Sequence, residues 1–324
     1  MKKIVLLTLL SAAAVSLTGC SGTAREVSAV NGSAVTQGSS EDTAATGYVS
    51  GIPMDENAGI VTEKTADIYS DPDVKSVRIT QALYNQPVSI LQKEPGWARV
   101  KAVDGSSGWM KLKFIDSDVT GIYGRTYTRR IIVTSREKSI TSNPSDGITR
   151  MEAPMGSEFF AFNNSGDAFE VFLPGDKTGW IKGSGIIQIR LNEKIPATNA
   201  DDFAATALRL KGASYLLNGM SSMGIDAPGL VYICARINGI DLPKSITGQM
   251  ASGTEIKPED AKAGDLLFLA GTGEGEEETL TAVGIAIGSG NYLYAGRKIG
   301  YVAVGEIAKD NAEGRIVAAR RIFD

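Results

Sequence analysis

The chain has 324 residues, too many for one compact core, with apolar (43%) and charged (22%) fractions ordinary for a globular protein. Its 33 basic and 37 acidic residues leave a net charge of −4 and a pI near 5.2, which excludes a polyanion-binding surface and argues against a nucleic-acid partner. There is no histidine, and the cysteines are two, Cys20 and Cys234.

Met1-Lys2-Lys3 is a basic start, followed by a nearly unbroken apolar run from Ile4 to Leu17. That run is shorter than the roughly 20 residues a membrane-spanning helix needs, and no other stretch is long and apolar enough. The run closes on Leu17-Thr18-Gly19-Cys20, which resembles a bacterial lipobox. The resemblance implies that residues 1–19 are a signal peptide, that cleavage precedes Cys20, and that Cys20 is acylated. A residue carrying several acyl chains holds stably to a membrane. The plainer alternative is an ordinary signal peptide with a chance cysteine. With Cys20 acylated, the chain is expected to be exported and lipid-anchored in the cell envelope, facing the periplasm from the outer membrane if the cell is Gram-negative. With Cys20 acylated, no internal disulfide forms and burial alone holds the fold.

Residues 20–57 are rich in Ser, Thr, Ala, Gly and Val, with no aromatic before Tyr48, and predict a flexible tether. From Gly59 short alternating runs begin. Ala66-Asp67-Ile68-Tyr69 precedes the turn Ser70-Asp71-Pro72-Asp73, and Val88-Ser89-Ile90-Leu91 follows Asn85-Gln86-Pro87. Trp97 to Val100, the turn Asp104-Gly105 and Gly108-Trp109-Met110 complete the set. Strands this short and close predict a small barrel over 58–120. A related arrangement over 130–192 ends in Phe169 to Gly175 and Gly179-Trp180-Ile181-Lys182. Each ending is a strand, a polar glycine turn and a Gly-Trp strand, so the unit reads as duplicated. Both segments resemble bacterial SH3 domains. Trp97, Trp109 and Trp180 are expected to fill barrel cores or to line a groove.

After Ile195-Pro196 the period becomes helical. Asn199 is placed as an N-cap, Phe203, Ala207 and Leu210 make an apolar stripe, and Gly212 is positioned to end the helix. A second helix starts at Asp226 with Pro228 in its first turn and Leu230, Val231, Cys234 and Ile237 on one side. Strands are expected over 265–270, 280–287, 292–295, 301–304 and 315–318. Helices followed by strands predict an α+β domain over 197–324.

Within it, Tyr215 to Tyr232, Asn238 to Pro243, Ala263 to Phe268 and Val283 to Gly288 together resemble the NlpC/P60 family of cell-wall cysteine peptidases. The expected fold is therefore multidomain: two SH3-like β-barrels followed by an α+β papain-like domain. In active members the second helix opens on Asp-Cys-Ser-Gly, a place where the helix N-terminus lowers the pKa of the thiol. The matching residues here are Asp226-Ala227-Pro228-Gly229. The family's base lies in His-Val-Gly-Ile, and this chain reads Ala282-Val283-Gly284-Ile285. The third polar position matches Tyr294. Nucleophile and base act as a unit, so replacing both leaves no partial dyad. Change at all three positions reads as an evolved loss.

Substitutes are scarce. Cys234 lies two helical turns below Ala227 and reads as a core residue. No Ser/Lys spacing suggests a dyad. No phosphate-binding loop is present, zinc lacks ligands, and no cofactor is implied. The acidic run Glu274-Gly275-Glu276-Glu277-Glu278 reads as a solvated loop, with calcium binding as the second reading. In SH3-bearing members the positions matching Asp226 and Tyr215 are associated with the free amino end of the stem peptide. The simpler roles are an N-cap for Asp226 and a core ring for Tyr215. Pro228 and Leu217 depart from the family's usual Ser and Trp. The reading is a noncatalytic, lipid-anchored relative that binds peptidoglycan peptides or an envelope protein. The rivals are a scaffold or regulator of an active murein hydrolase and a hydrolase of altered chemistry.

Overall fold

The computed structural model of the protein describes residues 48–49, 52–53, 56–119, 126–191, 193–271 and 279–323. The signal peptide, Cys20, most of the tether and the run Glu274 to Glu278 lie outside the described residues. A two-residue ladder joins β1 (Tyr48–Val49) to β2 (Ile52–Pro53). Seven strands follow: β3 (Ala58–Val61), β4 (Thr65–Tyr69), β5 (Arg78–Leu83), β6 (Pro87–Glu94), β7 (Trp97–Lys101), β8 (Ser107–Lys111) and β9 (Ile115–Asp116). They form an antiparallel sheet in the order β5-β4-β8-β7-β6-β3-β9. Alternation fixes the faces. In β7, Ala98 and Val100 are buried while Arg99 and Lys101 are exposed, and a slip of one residue would reverse them. Pro95-Gly96 turns β6 into β7, with Gly96 at φ +79, a conformation that favours glycine.

The second set is β10 (Arg129–Val133), β11 (Glu137–Thr141), β12 (Thr149–Pro154), β13 (Glu158–Ser165), β14 (Ala168–Leu173), β15 (Lys177–Lys182) and β16 (Ile186–Ile189). Its order, β12-β11-β15-β14-β13-β10-β16, repeats the first strand for strand. The structure gives the shared Gly-Trp a cause. A Cβ on Gly108 would meet the Tyr69 carbonyl oxygen at 2.5 Å, and one on Gly179 would meet Ile140 Cγ2 at 2.5 Å. In each sheet the glycine admits the crossing strand, β4 or β11, against the strand that carries it. The tryptophans themselves are not core. Trp97, Trp109 and Trp180 are half-buried, and the first core consists of small and branched residues such as Ile68, Val88, Val100 and Met110. Trp97 instead meets Tyr69 edge-on, with ring centroids 6.0 Å apart, and lines a surface hollow with Pro72, Val74 and Lys111.

The remaining elements are α1 (Ala200–Leu208), β17 (Met220–Ser221), β18 (Gly224–Ile225), α2 (Ala227–Ile237), α3 (Ile246–Met250), β19 (Thr254–Ile256), β20 (Leu266–Gly271), β21 (Thr279–Gly288), β22 (Asn291–Gly296), β23 (Tyr301–Glu306) and β24 (Arg315–Arg321). The six-stranded sheet runs β19-β24-β20-β21-β22-β23. Helices α1 and α2 pack on β21, and α2 also on β22. Asn199 caps α1 as expected, its Oδ1 accepting from the Asp202 amide at 2.9 Å. Gly212 does not end that helix. α1 stops at Leu208, and Gly212, at φ +79, donates its N–H to the Val302 carbonyl at 2.8 Å. Pairing with β23 draws the chain away before the helix reaches the glycine. The sequence also gave no notice of α3, β19 or the β17–β18 hairpin.

One apolar cluster bridges the three sheets, beside the separate cores of the first two. Leu83, Ile132, Met155 and Ile189, from the first two sheets, belong to the same buried cluster as Phe203, Leu230, Phe268 and Leu293. At their junction the Glu158 carboxylate, 1% exposed, pairs with Arg236 of α2 and lies 3.6 Å from Arg130 Nε, while its carbonyl accepts from Asn85 Nδ2 at 3.0 Å.

Candidate functional site

The head of α2 is built by local rules. Asp226 is extended (φ −100, ψ 178), and its Oδ1 accepts the Gly229 amide at 2.8 Å. Its Oδ2 accepts the Asn218 amide at 2.8 Å, tying the preceding loop to the helix start. Asn218 is left-handed, at φ +57. Gly229 has to be glycine because the Gly219 carbonyl occupies the space a Cβ would take. Asp226 is 2% exposed. Burial raises its pKa, against the pull of the Gly229 and Asn218 amides and of Lys244. The capping role is thus observed directly, and both carboxylate oxygens are already used.

Ala227 is the first helical residue, 3% exposed. Ala282 on β21 faces Leu269 of β20 and is 1% exposed. Tyr294 on β22 faces Gly284 of β21 and is 4% exposed. Residues two apart on a strand share a face, as do directly facing residues of antiparallel strands, so Ala282, Gly284 and Tyr294 line the same side. Ala227, Ala282 and Tyr294 all belong to one large buried cluster, which also holds Leu83 and Ile132 of the first two sheets.

Burial raises the Tyr294 pKa, with Glu313 and Tyr301 adding to the effect. Tyr292, its ring tilted against Tyr294 with centroids 5.4 Å apart, has its hydroxyl occupied by Asn311 Nδ2 at 2.5 Å. Tyr215 is half-buried and pinned by its backbone, which donates to the Gly300 carbonyl at 2.7 Å. Its pKa is raised by burial and then by Asp226. Cys234 is fully buried, and burial pushes its thiol well up, so it is a neutral core residue at any ordinary pH.

The first SH3-like sheet closes one side. Gln81 Oε1 accepts the Met220 amide at 3.0 Å, Asn218 Nδ2 donates to the Arg78 carbonyl at 2.7 Å, and Arg78 donates back to the Leu217 carbonyl at 3.2 Å. Lys244 Nζ donates to the Ile79 carbonyl at 3.1 Å and lies 3.6 Å from Asp104 Oδ2. Burial lowers the Lys244 pKa against the attraction of Asp104 and Asp226. Sequence reading missed Gln81, Asp104 and Lys244, because their partners lie more than 130 residues away and no local pattern marks them. Lys244 bonds no serine among the described residues, so no Ser/Lys dyad forms around it. Among the described residues no group of three or more His, Cys, Asp or Glu side chains is placed to hold a metal, and no helix is long and apolar enough to cross a membrane.

Comparison with known proteins adds the lineage. Residues 212–321 match the NlpC/P60 family, and residues 64–116 match the bacterial SH3 domain. The chain is 26% identical over 227 residues to a gamma-D-glutamyl-L-lysine dipeptidyl-peptidase of Bacillus cereus, covering 67% of each chain. It is 25% identical over 261 residues to the protein of the same name from Bacillus subtilis, covering 75% of this chain and 81% of that one. A crystal structure of an NlpC/P60 family protein from Bacillus cereus superimposes with a TM-score of 0.71 at 21% identity, covering 82% of this chain and all of that one. That likeness supports the fold, SH3-like β domains followed by an NlpC/P60 domain.

Proposed function

We propose that this chain, which carries an NlpC/P60 domain behind a bacterial SH3 domain, is a noncatalytic envelope lipoprotein that binds peptidoglycan stem peptides. Its relatives include a gamma-D-glutamyl-L-lysine dipeptidyl-peptidase, a bifunctional muramidase/DL-endopeptidase and a murein DD-endopeptidase. What supports the loss of catalysis is the trio Ala227, Ala282 and Tyr294 at the head of α2 and on the facing strands. A methyl group has no electron pair for attack, and no imidazole exists in the chain to take a proton. Cys234, the thiol nearest in sequence, is sealed in the core.

In this reading residues 1–19 are removed, Cys20 carries the lipid, and 20–57 tether the domains at 58–120, 130–192 and 197–324 to the membrane. Asp226 and Tyr215 line the retained peptide cleft, Asp226 chiefly by fixing its shape. The test pairs two assays on the purified protein. Digestion of isolated cell wall is expected to release no stem-peptide fragments, and turnover would overturn the noncatalytic half. Calorimetry with a panel of muropeptides is expected to give saturable heat, and silence across the panel would remove the ligand.

A second reading, a scaffold for an active hydrolase, is favoured by one surface feature. Val77, Leu217 and Met223 are 64%, 50% and 54% exposed, and Arg78, next to Val77, bonds the Leu217 carbonyl where the first sheet meets the NlpC/P60 domain. Crosslinking in cells distinguishes it: a protein captured at this junction supports a scaffold.

A further inference from the structure

In β7 the buried Ala98 and Val100 point into the first core, so Trp97, Arg99 and Lys101 share the outer face. Trp109 and Lys111 of β8 lie directly opposite Arg99 and Trp97, and Tyr69 of β4 lies opposite Trp109. Facing residues of antiparallel strands project to the same side, so these aromatic and basic side chains make one surface. It runs into the hollow at Trp97, a space of about 750 Å³ walled by Pro72, Val74 and Leu112 and edged by Lys111 and Lys113. The Lys111 ammonium lies 5.8 Å from the centre of the Trp97 ring. None of Arg99, Lys101, Lys111 and Lys113 has an ion pair among the described residues. The acids beside them are Glu94, which faces Trp97 and accepts from Gln92, and Asp73 in the hollow. Four cations against two acids leave the face positive on a chain whose net charge is −4. Read over the whole chain, the net charge conceals this patch.

The duplicated unit supplies an internal control. With Gly108 matched to Gly179, the residues Trp97, Arg99 and Lys101 correspond to Ala168, Glu170 and Phe172. Phe172 is buried in a cluster with Ala58 and Ile60 of the first sheet. The second unit therefore packs at this position against its neighbour, while the first leaves it exposed, aromatic and basic. The shared fold does not demand those side chains.

We propose that this outer face of the first SH3-like domain docks on the anionic surface of the membrane that holds the lipid anchor. Docking goes beyond peptide binding and rests, for its occupant, on the lipoprotein reading. In that reading the tether from Cys20 leads into β3, which pairs with β6, the neighbour of β7. Tryptophan and tyrosine favour the headgroup layer, where the ring is buried and its polar edge stays wet. Each lysine or arginine beside them strengthens attraction to anionic headgroups about fivefold. Because the chain as a whole is acidic, such a surface draws it by this face rather than by its average charge, and so fixes which way the NlpC/P60 domain points.

The test is pelleting with large vesicles, using the mature chain without its lipid: residues 20–324 with Cys20→Ser, which hold every described residue. Vesicles of phosphatidylglycerol and phosphatidylcholine in equal parts are expected to pull the chain down and shift its tryptophan fluorescence to the blue. Pure phosphatidylcholine, or salt at about 1 M, is expected to weaken binding at least about tenfold, because the charge attraction is then absent or screened. Arg99→Glu combined with Lys113→Glu is expected to do the same on anionic vesicles, and both side chains are exposed, so the fold should survive. Lys257→Glu combined with Lys262→Glu makes the same charge change on the NlpC/P60 domain and is expected to bind like the parent. No binding to anionic vesicles, or equal loss in both double variants, overturns the docking face. Retention on isolated cell wall that Arg99→Glu with Lys113→Glu abolishes, with vesicles ignored, assigns the face to a wall polymer and overturns membrane docking. The mass of the chain extracted from cells reads acylation of Cys20 separately, so failure of the anchor reading and failure of docking remain distinct.

Discussion

Replacing Asp226 by alanine separates its two candidate roles. The carboxylate accepts the Gly229 amide at 2.8 Å as the cap of α2 and the Asn218 amide at 2.8 Å from the loop. Losing the cap costs about 1 kcal/mol. Leaving the partly buried Asn218 amide without an acceptor costs about 1–3 kcal/mol more. Asp226→Ala is therefore expected to lose about 2–4 kcal/mol. Asp226→Asn keeps one acceptor but turns an NH₂ toward the second amide, and so falls between alanine and wild type. The pH dependence has a definite sign. Burial raises the folded pKa above the ordinary 3.8, so the stabilising share of Asp226 is full below 3.8 and declines as pH rises through the folded value. The cost of Asp226→Ala should then shrink as pH rises out of the carboxylate range and level off above it. Urea unfolding followed by circular dichroism over a pH series measures both. An alanine variant that unfolds at the wild-type midpoint would refute the capping role and return Asp226 to service as a ligand contact. A cost that grows with pH would refute the burial argument.

Other outcomes follow from the same geometry. Glu158→Ala leaves Arg236 and Arg130 facing each other at the junction of the three sheets, and it should cost about 3–5 kcal/mol in urea unfolding. A cost below about 1 kcal/mol would show the junction to be solvent-screened. Ala227→Cys restores the family's nucleophile without any base and should still release no fragments from purified cell wall; chromatographic detection of released peptide would contradict this. The Cys234 thiol, fully buried, should ignore Ellman's reagent in the native chain and react at once in denaturant. Cys234→Ser should cost about 1–3 kcal/mol for placing a hydroxyl in an apolar core.

Local physics made much of this chain readable in advance. The caps Asn199 and Asp226 announce α1 and α2 because an N-cap needs only its own side chain and an amide three residues on. The two Gly-Trp endings announce a repeated unit because each glycine yields to a crossing strand in the same way. Gly212 misled, because its amide is taken by Val302, 90 residues ahead, before the helix can use it. For the tryptophans the core expectation fails, since the barrel cores are filled by other side chains, while Trp97 lines a surface hollow.

The sequence by itself determined which side chains are on hand: no imidazole anywhere, and alanine at residues 227 and 282. Residue identity is enough for such a statement, because a side chain without a lone pair does not attack in any fold. The tertiary structure alone decided what the remaining polar groups do. Lys244 meets Ile79 and Asp104 across two domains, and Glu313 lies buried with its carboxylate on the Lys298 amide. Those encounters depend on how sheets dock through a shared core, and desolvation at such a junction sets the cost of each charge.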